Sequence, residues 1–556
     1  MPAHFPDANP GLNPGVIVVE HARIYTMDDD LPLAEAMALR AGQVVAVGIR
    51  EEIGRLPGIA ARIDAGGHTI VPGLIDAHIH FLSYARGLSR INLDGVDSKE
   101  RALALVAEKA RQTPPGRWIL GAGWNHNLWD PPVFPTCRDL DRVAPANPVY
   151  LDRKDGHSAW VNSLALQRAG ITRHTPDPPG AAIGRDHTGE PDGMLFESAT
   201  LLVRRAIEDP LEDPVEAMRQ GFRELARMGL TAIHDIEGPD AFSALQIMDA
   251  AGQLPLRVVA FLPYYRLDEA IRLGLRTGFG SDRLRVGPVK IFSDGSLGSV
   301  TAEMLEPYEG QPNNRGIPTI PQDELEEAIM RAASAGIPSA IHAIGDAANR
   351  RVLDAFHKAR EAEAYSGTTS TPPPLWGTHL IHRIEHAQLL HPDDIPRFAQ
   401  LRVVASMQPI HATSDMHVAD RLWGKRARYG YAWRSLLDAG ALLAFGSDAP
   451  VETPDPIAGI HAAVTRQDKN DLPEGGWYPQ ECITVEEAVR AYTVGAAHSA
   501  PYLPGVTGML TPGSVADFVV LDRDIFRVDP RDIKHARPLA TVVGGQPVYD
   551  HSGMFG

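Results

Sequence analysis

The sequence predicts an α/β protein: a (β/α)8 TIM-type barrel, with a small β-sandwich built from both termini and an inserted α/β subdomain after the first barrel strand. Three observations carry that expectation. Strand-like and helix-like patterns alternate from about residue 71 to 505, as parallel βα units require. Eight strand-like runs can be counted there, most of them a few tens of residues apart, which is enough to close a barrel. Short β-type runs lie at both ends of the chain, where neither set can bury a face alone.

In chain order, MPAHFPDANPGLNPG has neither a basic start nor an apolar stretch, and is expected to be a short disordered leader. Two strand-like runs follow, VIVVEHARIYTM and AMALRAGQVVAVG, the second broken by the turn candidate Ala41-Gly42. Their partners are expected in SVADFVVLD and ATVVGGQPVYD, with Gly544-Gly545 as a hairpin turn. Residues 1–70 and 506–556 would then make the sandwich and 71–505 the barrel. Barrel strands are expected in VPGLIDAHIHF, TAIHDI (231–236), LRVVAFLPY (256–264), RVGPVKIFSD (285–294), IPSAIHAI (337–344), HRIEHAQ (382–388), VVASMQP (403–409) and ALLAFGSDA (441–449). Roughly 150 residues separate the first from the second, too many for a structureless loop in a compact domain. WILGAGWNH and NPVYLDRKDGHSAWVNSLAL supply structure of their own there, so about 85–215 is read as an insert. A βα loop emerges where barrel active sites lie, which places the insert to form a pocket or lid. SGTTSTPPP (366–374) reads as an exposed flexible loop.

The totals narrow the function classes. With 556 residues the chain exceeds one ordinary core. The 53 basic and 70 acidic residues give a net charge of −17, which argues against nucleic acid or an anionic membrane as partner. Two cysteines, Cys137 and Cys482, make neither a disulfide framework nor a zinc knuckle, and no apolar run approaches the ~20 residues of a membrane span. A cytoplasmic setting and a small-molecule substrate are therefore expected.

Two histidines two residues apart on a strand, His78 and His80, present both imidazoles on one face. By themselves they are as compatible with a hydrogen-bonded core as with a metal. Further candidates lie at the C-terminal ends of later strands: Lys290 on the fourth, His342 on the fifth, His386 on the sixth and Asp448 after the eighth. Each has a bland reading as a satisfied polar residue, a helix cap or a snorkelling lysine. Six in this order at one barrel face point instead to a metal site. His382 would share a strand face with Ile384 and His386, and so is a candidate alternative ligand or a group that orients one. His234 and His461 are expected to be structural or supporting.

VPGLIDAHIHF, VKIFSDGSLGS, AIHAIGD, RIEHAQ, GSDAP and GSVADFVVLD together resemble the amidohydrolase superfamily, in its N-substituted formamide deformylase-like branch. The resemblance runs nearly the whole chain, with its motifs in family order. It implies the same barrel and sandwich. It also implies that His78 and His80 bind a more buried divalent metal, that His342 and His386 bind a more exposed one, and that Asp448 contacts the first. Lys290 matches a position that in many relatives is carboxylated and bridges two metals, zinc by default, with Mn, Co, Ni or Fe as alternatives. The activity implied is hydrolysis of a non-peptide C–N bond, N-formyl or N-acyl, by metal-activated hydroxide, with Asp448 relaying the proton. A homo-oligomer is implied as well. Deaminase or lactonase chemistry on the same scaffold is the alternative within enzymes. A non-catalytic scaffold protein is the alternative outside them.

For the substrate, His157 in DGHSAWVNS is a candidate donor to a carbonyl or carboxylate oxygen, a structural role being equally open. Trp124 and Trp129 are candidate aromatic walls, although core tryptophans are the commoner case. Asp294 and Gln408, following the fourth and seventh strands, are expected to face the site. No nucleophile elbow, Walker loop or dinucleotide fingerprint is present in the sequence.

Overall fold

The computed structural model describes residues 15–556 apart from 94, 154–157, 179–180, 208–212, 299, 366–379 and 501–504. Residues 1–14 of the expected leader and SGTTSTPPP therefore lie outside the described residues. The chain forms two compact units, one of the segment up to Ser83 together with Phe222–Gly556, the other of Tyr84–Gly221.

The first unit contains the barrel. Its strands are Leu74–Ile79 (β1), Leu230–Asp235 (β2), Arg257–Pro263 (β3), Leu284–Phe292 (β4), Ser339–Ala343 (β5), Arg383–His386 (β6), Val404–Met407 (β7) and Leu443–Phe445 (β8). All pair in parallel and in chain order, and a parallel bridge between Ile79 and Ala449 brings the two ends of the sheet together. One buried cluster draws Ile75, Ala232, Val259, Ala340, Val404 and Ala444 from six of the strands, so the barrel is a packed core rather than a channel. Helix Gln322–Ser334 shows why the intervening segments are helical. It buries Leu325, Ala328, Ile329 and Ala332, an i, i+3, i+4, i+7 stripe, and starts with Asp323 and Glu324 at the positive end of its dipole.

Both termini meet in the sandwich. A four-stranded sheet uses Gln43–Gly48, Ala36–Arg40, Val16–Glu20 and Ile59–Asp64. A six-stranded sheet interleaves Arg23–Tyr25, Leu33–Ala34 and Thr69–Pro72 with Phe518–Leu521, Pro538–Val543 and Gln546–Asp550. Val19, Met37, Ile70, Phe518 and Val542 pack in one core between them. The expected hairpin turn is present, with φ of 61° at Gly544 and 72° at Gly545.

The run VPGLIDAHIHF is not one strand. Thr69–Pro72 belongs to the sandwich and Leu74–Ile79 to the barrel, with the division at Gly73, where a Cβ would stand 2.2 Å from Thr231 Oγ1 of β2. The seam of the two substructures thus lies at the N-terminal end of β1, and His78 and His80 stand at its opposite, C-terminal end.

The second unit carries its own six-stranded sheet, in the order Ala182–Arg185, Pro191–Phe196, Ser158–Val161, Val149–Arg153, Ile119–Trp124, Ile91–Asn92, together with helix Lys99–Gln112. Trp124, Trp129 and Trp160 lie in its core.

Candidate metal centre

The site is assembled at the C-terminal ends of the barrel strands, beginning with a buried charge pair. Arg383 and Glu385 on β6 are both fully buried. Arg383 holds the Glu385 carboxylate through Nε and Nη2, the latter 3.0 Å from Oε2. It also donates to the carbonyl of Ala77 (2.6 Å), to the hydroxyls of Ser406 and Ser499, and to His234 Nδ1 (2.9 Å). Burial opposes charge on Glu385, but Arg383 and His78 outweigh it and hold the carboxyl well below the usual range.

Glu385 Oε2 lies 2.6 Å from His78 Nδ1. An ionised carboxylate only accepts, so Nδ1 carries the proton and, in the neutral ring, Nε2 presents its lone pair. That Nε2 is buried without a hydrogen-bond partner, 3.4 Å from Asp448 Oδ1. His386 repeats the pattern: its Nδ1 donates to Gln408 Oε1 at 2.8 Å, which leaves the Nε2 lone pair of the neutral ring to face a cation. One donor atom each from His78, His386 and Asp448 lie within 4.8 Å of one another, the one such cluster among the described residues. Buried lone pairs converging on a carboxylate repel one another unless a cation stands among them, so this donor set fits a divalent metal ion.

His80 Nε2 stands 3.3 Å from the same Asp448 oxygen. Burial works against the Asp448 charge, and positive charge at the His78 and His80 Nε2 positions holds the carboxyl below its ordinary value, a place that the Nδ1 tautomer of His78 leaves to a cation. Backbone bonds from Asp448 N to His78 O (2.7 Å) and from His80 N to Ala449 O (2.9 Å) join the end of β1 to the segment after β8. The approach needs Gly446, where a Cβ would meet the His78 nitrogen at 2.4 Å. His386 and Asp448 both take left-handed backbone, with φ of 72° and 60°, a strained conformation that clusters at functional sites.

The other expected ligands adjoin this core. The ring of His342 packs on His386, centroids 4.5 Å apart, while its Nε2 faces the Gly295 carbonyl at 2.9 Å. Burial depresses it to about 3, with Lys290 adding to the effect. Lys290 is 4% exposed, and burial brings its amine down to about 8 against the pull of Glu385 and Asp448. Its Nζ lies 4.9 Å from the Phe292 ring centroid. A cavity of about 390 Å³ opens beside Lys290 and His80.

Asp294 and Gln408 adjoin the candidate ligands, Asp294 Oδ1 3.6 Å from His342 Nε2 and Gln408 against His386, while other expectations are redirected. Asp294 accepts backbone N–H groups of Glu303, Gly345 and Ile344, fastening the loop after β4 to the end of β5. Gln408 orients His386. Trp124, expected as a candidate wall of the substrate pocket, is fully buried and donates to the Leu151 carbonyl, which makes it core of the inserted unit. His157 lies outside the described residues. His382 does not join the site: its Nδ1 accepts from Ser339 N (3.1 Å) and its ring packs on Phe356, because the turn to positive φ at His386 breaks the alternation that would have aligned the two. His234 supports Arg383, and His461 sits 3.6 Å from Asp471.

Two residues went unread in the sequence. Glu385 is the neighbour of His386 in RIEHAQ, and a buried acid beside a ligand histidine was the available signal. His411, in the first turn of helix Pro409–Trp423, places Nε2 3.8 Å from Asp448 Oδ2 and stacks parallel to His386. Its cue was its position just past the seventh strand, in MQPIH.

Comparison with known proteins agrees with this geometry. A family model described as the amidohydrolase family matches residues 61–549. Protein LONG AFTER FAR-RED 3 of Arabidopsis thaliana is 35% identical over 552 residues, 96% of this chain and 91% of that protein. N-substituted formamide deformylase of Arthrobacter pascens is 28% identical over 554 residues, 97% of this chain and 99% of that protein. The crystal structure of an uncharacterized metal-dependent hydrolase from Pyrococcus horikoshii matches with a TM-score of 0.74 at 27% identity, covering 93% of this chain and 99% of that one. The parallel barrel, the imidazoles and carboxylate gathered at its strand ends, and a match that spans insert and barrel together place this chain in the amidohydrolase family, as a metal-dependent hydrolase of that type.

Proposed function

We propose that the protein hydrolyses a non-peptide C–N bond of a small molecule, an N-formyl or N-acyl amide. The observation that carries this reading is the convergence of His78, His386 and Asp448 within 4.8 Å. The similarity to N-substituted formamide deformylase supports the bond type. His78, His80 and Asp448 would hold one divalent ion and His342 with His386 a second, zinc by default. Lys290, as a neutral amine, would take up carbon dioxide with loss of a proton, and the resulting carbamate would offer bridging anionic oxygens. Such an ion supplies Lewis-acid chemistry, lowering the pKa of water from ~15.7 toward ~7 and polarising a carbonyl oxygen.

The residues do the rest. Asp448, held ionised among imidazoles, accepts the proton of the attacking water as the new C–O bond forms. It returns that proton to the nitrogen as the C–N bond breaks, so the leaving group departs as a neutral amine. Glu385 and Gln408 keep the imidazoles of His78 and His386 in the tautomers this requires. His157, from the insert, is the proposed donor to a substrate oxygen. The reaction is assigned to the cytoplasm and to a homo-oligomer, without nucleic acid or membrane as partner; no helix among the described residues is long and apolar enough to cross a membrane.

The test joins metal analysis to a panel of N-formyl amines, N-acyl amino acids, carbamates and lactones. At least one metal per chain is expected, with amide hydrolysis lost on chelation and restored by zinc. Lactone hydrolysis without any C–N cleavage would overturn the reading.

A further inference from the structure

The cavity beside the metal centre lies at the C-terminal ends of β2, β3 and β4. Its deep side is Lys290 and His80, and its walls include Phe261, Tyr264, Tyr265 and Phe292. Glu237, just past β2, and Glu324, at the start of helix Gln322–Ser334, also line it, and no arginine does so among the described residues. Depth can be read from exposure: Lys290 is 4% exposed, whereas Phe292 is 50% and Tyr265 65% exposed, so these rings and the exposed Glu324 mark the rim. The Lys290 amine lies over the Phe292 face, 4.9 Å from its ring centroid, at the closed end of the cavity. Both carboxylates are braced, Glu237 by the backbone N–H of Ser83 (2.9 Å) and Glu324 by the Tyr264 hydroxyl (3.2 Å). Two of the rings already carry cations, Lys290 on Phe292 and the Arg266 guanidinium 5.4 Å from the Tyr265 centroid.

A substrate whose scissile carbonyl reaches Asp448 lies against Lys290 and His80, and the cavity then gives its substituent a course along the aromatic walls toward Glu237 and Glu324. We propose that this cavity selects substrates by the charge of that substituent: it takes small amides bearing an ammonium group a few carbons from the amide, and discriminates against carboxylate-bearing ones such as N-acyl amino acids. Aromatic faces and carboxylates both attract an ammonium, and carboxylates repel a second carboxylate. Lys290 lies on the deep side, next to the reacting group, so it does not offset the rim; as a carbamate it would add to the negative field. This inference rests on the amide-hydrolase reading.

The experiment compares N-formyl-1,5-diaminopentane, N-formylhexylamine and N-formyl-6-aminohexanoate, which differ chiefly in terminal charge, on the metal-loaded full-length enzyme. The expected order of kcat/KM is ammonium above neutral above carboxylate, by roughly two- to fivefold per step. Glu324→Gln and Glu237→Gln should each compress the ammonium-to-carboxylate ratio. A wild-type preference for the carboxylate, no preference, or a ratio that neither variant moves would overturn the proposal. If none of the three is hydrolysed, the amide reading fails by itself, and calorimetry with hexylammonium and hexanoate tests the pocket separately. Tighter binding of hexylammonium, weakened in Glu324→Gln, supports charge selection; equal binding, or tighter binding of hexanoate, overturns it.

Discussion

Glu385 decides which nitrogen of His78 faces Asp448, since a carboxylate 2.6 Å from Nδ1 must receive that proton. Glu385→Gln keeps the shape but replaces the obligate acceptor with a group that can also donate, so the imidazole loses its fixed tautomer. We expect metal affinity to fall by about 10–100-fold. Chelator competition measures this, and an unchanged affinity would remove Glu385 from the site. Asp448→Asn should lower kcat by about 10²–10⁴ because the proton relay is gone; a variant retaining most of its turnover would end that assignment. His78 and His386 were legible in the sequence because ligand histidines occupy strand ends. The roles of Glu385 and Arg383 were not, because an acid next to His386 was the one local cue, whereas the partners that fix them, His78 for Glu385 and Ala77, His234, Ser406 and Ser499 for Arg383, come from elsewhere in the chain.

Among the elements, the loop after β4 is fastened to the end of β5 by Asp294, whose carboxyl burial raises to about 7 against the three backbone N–H donors. The sign follows from the two states. The folded carboxyl holds its proton more tightly than the unfolded one at 3.8, so its contribution to stability is complete below about pH 4 and is lost as pH rises through about 7. Asp294→Asn removes this titration and turns one acceptor oxygen into a donor facing backbone N–H groups, at a cost of about 1–3 kcal/mol. Urea unfolding at pH 5 and pH 8 checks both parts: the deficit of the variant should shrink at the higher pH, and a constant deficit would refute the titration. The strands themselves were readable as apolar runs bounded by turn residues. Their limits were less so. VPGLIDAHIHF reads as one strand by composition, yet Gly73 divides it between two sheets because β2 comes too close for a side chain.

Across the molecule, Arg257 of β3 grips Asp517, just before the C-terminal strand Phe518–Leu521, through bonds of 2.6 and 3.1 Å, and so ties barrel to sandwich. Arg257→Met leaves the buried Asp517 carboxylate with the Gly544 N–H (2.6 Å) but without its ion-pair partner, a loss of about 3–5 kcal/mol that a lowered urea midpoint would report. Removing metal should lower Tm as well, since an ion at one hundred times its Kd contributes about 2.7 kcal/mol to the state that binds it. A Tm indifferent to chelator and to added zinc would remove the ion from the folded protein. The sequence by itself determined the barrel, the joining of both termini in one sandwich, and the positions of six candidate ligands, because periodicity and strand-end placement are local properties written residue by residue. Tertiary structure alone decided which histidines converge, which one turns away, and which acid sets a tautomer. Those outcomes depend on a backbone angle at His386, on the close approach at Gly446, and on burial beside residues hundreds of positions distant, and no local pattern encodes them.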